Sequence, residues 1–256
     1  MKLPRRFAGI ADLPSESRML AQCDRAAQLD VDGRSDESHL RLALSGAARI
    51  VQEGNFVPTL SGDRIVAFGS ASREKQGQGS AHDGFAPKRV EVEGRAHLNA
   101  GIARGSAATL SLVVSASHVR TYTFRQNAHL SIDTERDRSA GELSRPGAIE
   151  LQASEQIVLS DAATIWEIGA TGHVRAVMDF GERGQARIHG TRMSIRAQWE
   201  QGMPKRMTAD AVKHFACFGD GALPRVAIYR ESRQFATIYA AAVEAERDAT
   251  GMSADI

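Results

Sequence analysis

The segment His118-Val-Arg-Thr-Tyr-Thr-Phe-Arg-Gln-Asn-Ala-His129 gathers two histidines, two arginines and two aromatic rings in a short stretch. Those residue types suit metal-free cleavage of RNA. That reaction needs a base for the 2′-hydroxyl, an acid for the leaving oxygen, and cations for the phosphorane. Histidine titrates near neutrality and fits the first two roles, and arginine fits the third. His118 and His129 are therefore the candidate acid and base, with Arg120 and Arg125 as the cations. On one uninterrupted strand the two histidines face opposite sides, because successive side chains alternate. A turn near Gln126-Asn127 is needed to bring them together.

The same stretch offers a binding surface. On a strand, His118, Arg120, Tyr122 and Phe124 share one face. A cation beside two rings is what base stacking on a sheet requires, and each stacked base contributes about 1–3 kcal/mol. Arg120-Thr-Tyr122-Thr-Phe124 resembles the start of the RNP1 pattern of sheet-based RNA-binding domains. It keeps the basic position and both aromatics, lacks the glycines, and has Asn127 at the downstream aromatic position. The resemblance implies RNA rather than DNA, because aromatics on a sheet read splayed single strands. The competing reading makes Tyr122 and Phe124 the core face of an ordinary strand.

Two segments are locally basic. Gly94 to Ile132 contains no Asp or Glu and holds Arg95, Arg104, Arg120 and Arg125. Arg183 to Arg206 holds Arg183, Arg187, Arg192, Arg196, Lys205 and Arg206 against Glu200 alone. Just ahead of the second lies Gly181-Glu-Arg-Gly184, a spacing that lets backbone amides approach a phosphate, or simply turns a hairpin. The formal net charge of the whole chain is +1. A generally basic, nucleic-acid-coated protein is thereby excluded, but a local positive stripe still steers polyanions. Of the 32 basic residues, 27 are arginine. GC-rich coding explains this bias, and so does a need for guanidinium forks on phosphate.

Other chemistries find less support. His214 and Cys217 are two ligand types three residues apart, and zinc needs three or four. Glu150, Glu155, Asp161 and Glu167 recur on consecutive strand-like segments and read as solvent-facing acids. No P-loop, zinc-protease, nucleophile-elbow or Cys-x-x-Cys motif occurs. No metal and no cofactor is expected.

The elements that would carry these residues follow from periodicity. Met19, Leu20, Cys23 and Ala27 have helical spacing after Pro14-Ser15. A second helix is read from Ser35 or Asp36 to Gly54, with Leu40, Leu42, Leu44, Ala47, Ala48 and Val51 apolar. Residues 70–87 and 133–147 read as polar loops. From residue 89 the period becomes two: strands are expected near 89–98, 107–116, 118–132, 149–153, 164–168, 174–180 and 192–199. The C-terminal part returns to helix over Thr208–Cys217. A last helix is capped by Ser232, with Phe235, Ile238, Tyr239, Ala242 and Ala245 on its buried face. Residues 225–230 are read as a strand.

The expected fold is α+β, a central, mostly antiparallel sheet system with helices from both ends of the chain. Its parts are a helical segment 1–60, a β-rich core 61–200 and a mainly helical segment 201–256. The functional expectation is a protein that binds RNA or another single-stranded nucleic acid. In a stronger form it is a metal-independent RNA-processing endonuclease or a ribonucleoprotein subunit. The alternative is a β-rich assembly subunit of a phage or secretion machine, with other protein subunits as partners. No apolar run of about 18 residues occurs, so no membrane partner is expected. With only two cysteines and no apolar leader, a cytoplasmic location is expected.

Overall fold

In a computed structural model the chain is described at residues 6–7, 19–32, 39–52, 58–73, 83–116, 119–132, 149–162, 164–179, 184–198, 212–219, 224–230, 233–247 and 252–255. Among these residues there is no helix, and nearly all lie in antiparallel strands. The chain forms two compact units, residues 1–101 with 106–118, and residues 102–105 with 119–256. The first contains β1 (Arg6–Phe7), β2 (Met19–Gln22), β3 (Ala26–Asp32), β4 (His39–Gln52), β5 (Thr59–Arg73) and β6 (Asp83–Ala100). Strand β7 (Ala103–Val114) begins in the second unit and continues in the first. The second unit contains β8 (Arg120–Arg125), β9 (Ala128–Ile132), β10 (Ile149–Ala153), β11 (Gln156–Ala162), β12 (Ile165–Asp179) and β13 (Gln185–Gln198). It ends with β14 (Val212–Phe218), β15 (Arg225–Arg230), β16 (Arg233–Tyr239), β17 (Ala242–Arg247) and β18 (Met252–Asp255).

The expected α+β architecture is therefore corrected to all-β. The segments read as helices are β2 with β3, β4, β14, and β16 with β17. The reason lies in how long strands bend here. In β4, Gly46 and Ala47 both have positive φ, at 75° and 38°. These two residues form a bulge against β5, between the pairs Ser45↔Arg64 and Ala48↔Gly62. The chain thus advances without reversing its inward phase, so Leu44, Ala48 and Ile50 are all buried. An apolar gap of four at a bulge imitates a helical turn. A second bulge lies at Gly94-Arg95 in β6 (φ 70° and 47°), and a positive-φ bend without a register shift lies at Gln126-Asn127 between β8 and β9 (φ 64° and 53°).

In the second unit the bends line up across neighbouring strands. β8 and β9 pair with β11 and β10, and these pair with the two halves of β12. β12 runs along β13, whose halves pair with β14 and β15, which in turn pair with β17 and β16. At the bend the Asn127 amide donates to the Ser154 carbonyl, and the His173 amide donates to Ser154 Oγ. Gly172 (φ 96°) turns β12 where an added Cβ would collide with Ser154 and Glu155. One face of each bent strand is buried. It includes Tyr122, Phe124 and Leu130, then Leu151 and Ile157, Trp166, Ile168 and Val174, and Ile188 and Ile195. The opposite face carries the polar partners of each alternation.

Candidate functional site

Tyr122 and Phe124 point into this core, at 1% and 0% exposure. The Phe124 ring lies against Gly105, where an added Cβ would overlap it. Neither ring can stack on a base, so the expected aromatic face is corrected to a core face. Arg120 shares the inward side and is the register partner of Asp161, a buried acid that accepts a hydrogen bond from Trp166 Nε1 at 3.0 Å. Burial pushes the Tyr122 phenol up to about 12, with nearby Arg120 acting against the rise. Its hydroxyl has no hydrogen-bond partner among the described residues.

The acid-free segment from 94 to 132 draws its counter-charges from other strands. Arg95 forms an ion pair with Asp63, and that hydrogen bond holds the Asp63 carboxyl below the usual carboxylate range. His129 Nε2 lies 2.9 Å from Glu150 Oε2, and Ser131 donates to the other oxygen of Glu150 at 2.7 Å. Arg125 is exposed and donates to Gln156 at 3.4 Å. Arg104 is exposed and already engaged. The backbone does bend at Gln126-Asn127, but His118 lies outside the described residues. So does Arg183, with most of the Gly181–Gly184 turn.

The outward face of the second unit presents a different cluster. Register pairing places Gln152, Arg175, His189, Arg225 and Tyr239 side by side across β10, β12, β13, β15 and β16. Arg175, His189 and Arg225 are all exposed. Strands lie about 4.8 Å apart, so the two guanidinium-bearing backbones are about 10 Å apart with the imidazole between them. Arg187 sits two residues along β13 on the same face, its guanidinium 4.5 Å from the Tyr229 ring centre. Arg225 lies 6.0 Å from the ring centre of Tyr239, which is 61% exposed. Among the described residues no carboxylate forms an ion pair with Arg175 or Arg225. The nearest acids by register are Glu150, whose oxygens serve His129 and Ser131, and Asp179 beside Gln185, which is itself engaged. Desolvation, then Arg175 and Arg225, hold the His189 imidazole below its usual range.

Elsewhere on this face Arg196 lies between Glu167 and His214 in register, whereas Arg192 has no acid opposite it and rests 5.3 Å from the Phe218 ring centre. His214 Nε2 is 2.8 Å from Glu244, with Glu246 opposite it. These three offer ligand atoms within 4.8 Å of one another, but Arg196 flanks the imidazole and none of the three is buried. Cys217 faces the other way, into the core, so it cannot join His214 on a metal. A shallow groove of about 280 Å³ around Gly169 has Arg192 as its only titratable lining residue.

No family model, curated protein or solved structure matches this chain. The site rests on its own geometry. Sequence reading found Arg187 but missed Arg175, His189, Arg225 and Tyr239. Their signal is only visible once four strands are aligned, because they lie up to 64 residues apart in the chain. No helix among the described residues is long and apolar enough to cross a membrane.

Proposed function

We propose that this protein binds single-stranded nucleic acid, RNA in the first instance, on the row Arg175–His189–Arg225 with Arg187 beside it. The observation that supports the reading is that, among the described residues, no carboxylate pairs with Arg175 or Arg225. Like charges side by side on a sheet destabilise it, and several arginines elsewhere in the molecule are paired with acids. A phosphodiester chain supplies the missing negative charge at two or more points along the row. Exposed Tyr239 at its end offers a π-face to one unstacked base. This places the stacking ring on β16 instead of β8.

The test is fluorescence anisotropy with a labelled oligouridine at several salt concentrations. Each neutralised phosphate on a single strand contributes about 0.7 to the slope of log affinity against log salt. The Arg175→Ala/Arg225→Ala variant should lower that slope by about 1.4. Arg95→Ala, whose partner is Asp63, should leave it unaltered. Equal slopes for wild type and double variant, or no binding at low salt, overturn the reading.

A second reading, an assembly subunit, draws on one observation. Phe235 is 78% exposed on β16, the strand that also carries exposed Tyr239, and two large exposed rings on one strand suit a protein interface. Light scattering distinguishes it: a defined oligomer that Phe235→Ser dissociates favours assembly, and a monomer in both cases excludes it.

A further inference from the structure

The cationic row carries an imidazole at its centre, with an arginine opposite it on each side. Resting on the nucleic-acid reading, we propose that the row is a proton-coupled anion site: His189 takes up a proton from solvent when a phosphodiester settles between Arg175 and Arg225, so the polyanion is held more tightly at mildly acidic pH. His189 has Arg175 opposite it on β12 and Arg225 opposite it on β15. Along β13 its same-face neighbours are Arg187 and Thr191. Diagonal positions are Val177 on β12 and Ala227 on β15, and exposed His173 stands beside the bend of β12. Among the described residues every charged group that faces it is therefore cationic, and Glu150 and Asp179 lie farther along the face. Without ligand, desolvation and then the charges of Arg175 and Arg225 lower the proton affinity of this imidazole. A bound phosphodiester reverses the sign of the local field and favours the imidazolium. By linkage, whatever raises the proton affinity of His189 is itself bound more tightly when the proton is present. A fixed arginine here would bind at all pH values, whereas histidine makes retention depend on acidity in the range where imidazoles titrate.

The experiment uses the full chain and a labelled oligouridine at fixed salt, because phosphodiesters and uracil do not titrate between about pH 5.5 and about pH 8. A pKa difference of one unit between bound and free His189 gives a tenfold affinity ratio across that range. Wild type should therefore show roughly a tenfold gain on acidification. His189→Gln and His189→Lys should both bring the ratio close to one, and His173→Gln should keep the wild-type ratio. A wild-type ratio near one with clear binding overturns the proton coupling and leaves the nucleic-acid reading standing. So does an undiminished ratio in both His189 variants. No binding at any pH overturns both.

Discussion

Tyr122 and Phe124 have the types of a binding face and the surroundings of a core, and each predicts its own outcome. Phe124→Ala removes a fully buried ring packed on Gly105 and should destabilise by about 3–5 kcal/mol in denaturant unfolding. Tyr122→Phe removes only a buried hydroxyl that has no partner among the described residues. It should be close to neutral, because a desolvated polar atom is removed while its favourable interaction with nearby Arg120 is lost. Cys217 is fully buried, and desolvation pushes its thiol up to about 11. In the native protein a thiol reagent near neutral pH should therefore label half-buried Cys23 and spare Cys217, and labelling of both should appear only on unfolding. His189 carries a stability term as well. Its folded pKa is lowered, so below the ordinary imidazole value the unfolded chain binds more protons. Stability should fall as the pH drops from about 6.5 toward the folded pKa. His189→Gln should flatten that part of the urea-midpoint profile.

At the scale of elements, the bends decide both the architecture and the readability of the sequence. Strands whose inward alternation continues were legible: Val90, Val92, Ala96 and Leu98 mark β6 across its bend at Gly94-Arg95, and Met193, Ile195 and Ala197 mark β13. Strands whose apolar residues fall four apart were not. Gly46-Ala47 sets Leu44 and Ala48 four apart on one face, which in sequence has the spacing of a helix. The break at Ala240-Ala241 between β16 and β17 has the same effect. There the helical spacing placed Phe235 and Tyr239 inward, and in the structure both are exposed. The cationic row was illegible for a related reason. Arg175, His189 and Arg225 become neighbours only through register, and register depends on the bends. Arg120 was visible as a cation and His129 as an acid or base, but the acids beside them, Asp161 and Glu150, lie on other strands. The bends themselves are testable. Ala47 occupies a left-handed conformation that favours glycine, so Ala47→Gly should stabilise by about 0.5–1 kcal/mol. Gly172→Ala should destabilise by more than that, because it combines a positive φ with overlap onto Ser154 and Glu155. Thermal unfolding of the two variants reads both signs.

At the scale of the whole molecule, the near-zero net charge and the all-β architecture have separate consequences. Positive charge is neutralised pair by pair at Arg95–Asp63, Arg64–Glu93 and Arg41–Asp30, whereas Arg175 and Arg225 flank His189 with no ion pair among the described residues. A neutral molecule with one uncompensated row should bind polyanions at a single saturable site, whereas a uniformly basic surface would coat itself. The architecture makes a further prediction about local stability. In the second unit β12 and β13 are paired along both edges through most of their length, while β18 pairs with β17 over only four residues. Amides buried in a doubly flanked strand open only with the unit as a whole, and those of a short outer strand open locally. Hydrogen exchange followed by mass spectrometry should accordingly find the slowest amides around Trp166–Ala170 and Met193–Ala197, and the fastest around Met252–Asp255. Far-ultraviolet circular dichroism should show a β spectrum without the double minimum of helix. A helical spectrum, or uniform exchange across these strands, would mean that the bent-strand sheet is not the structure in solution, and the cationic row, which exists only through that register, would lose its basis with it.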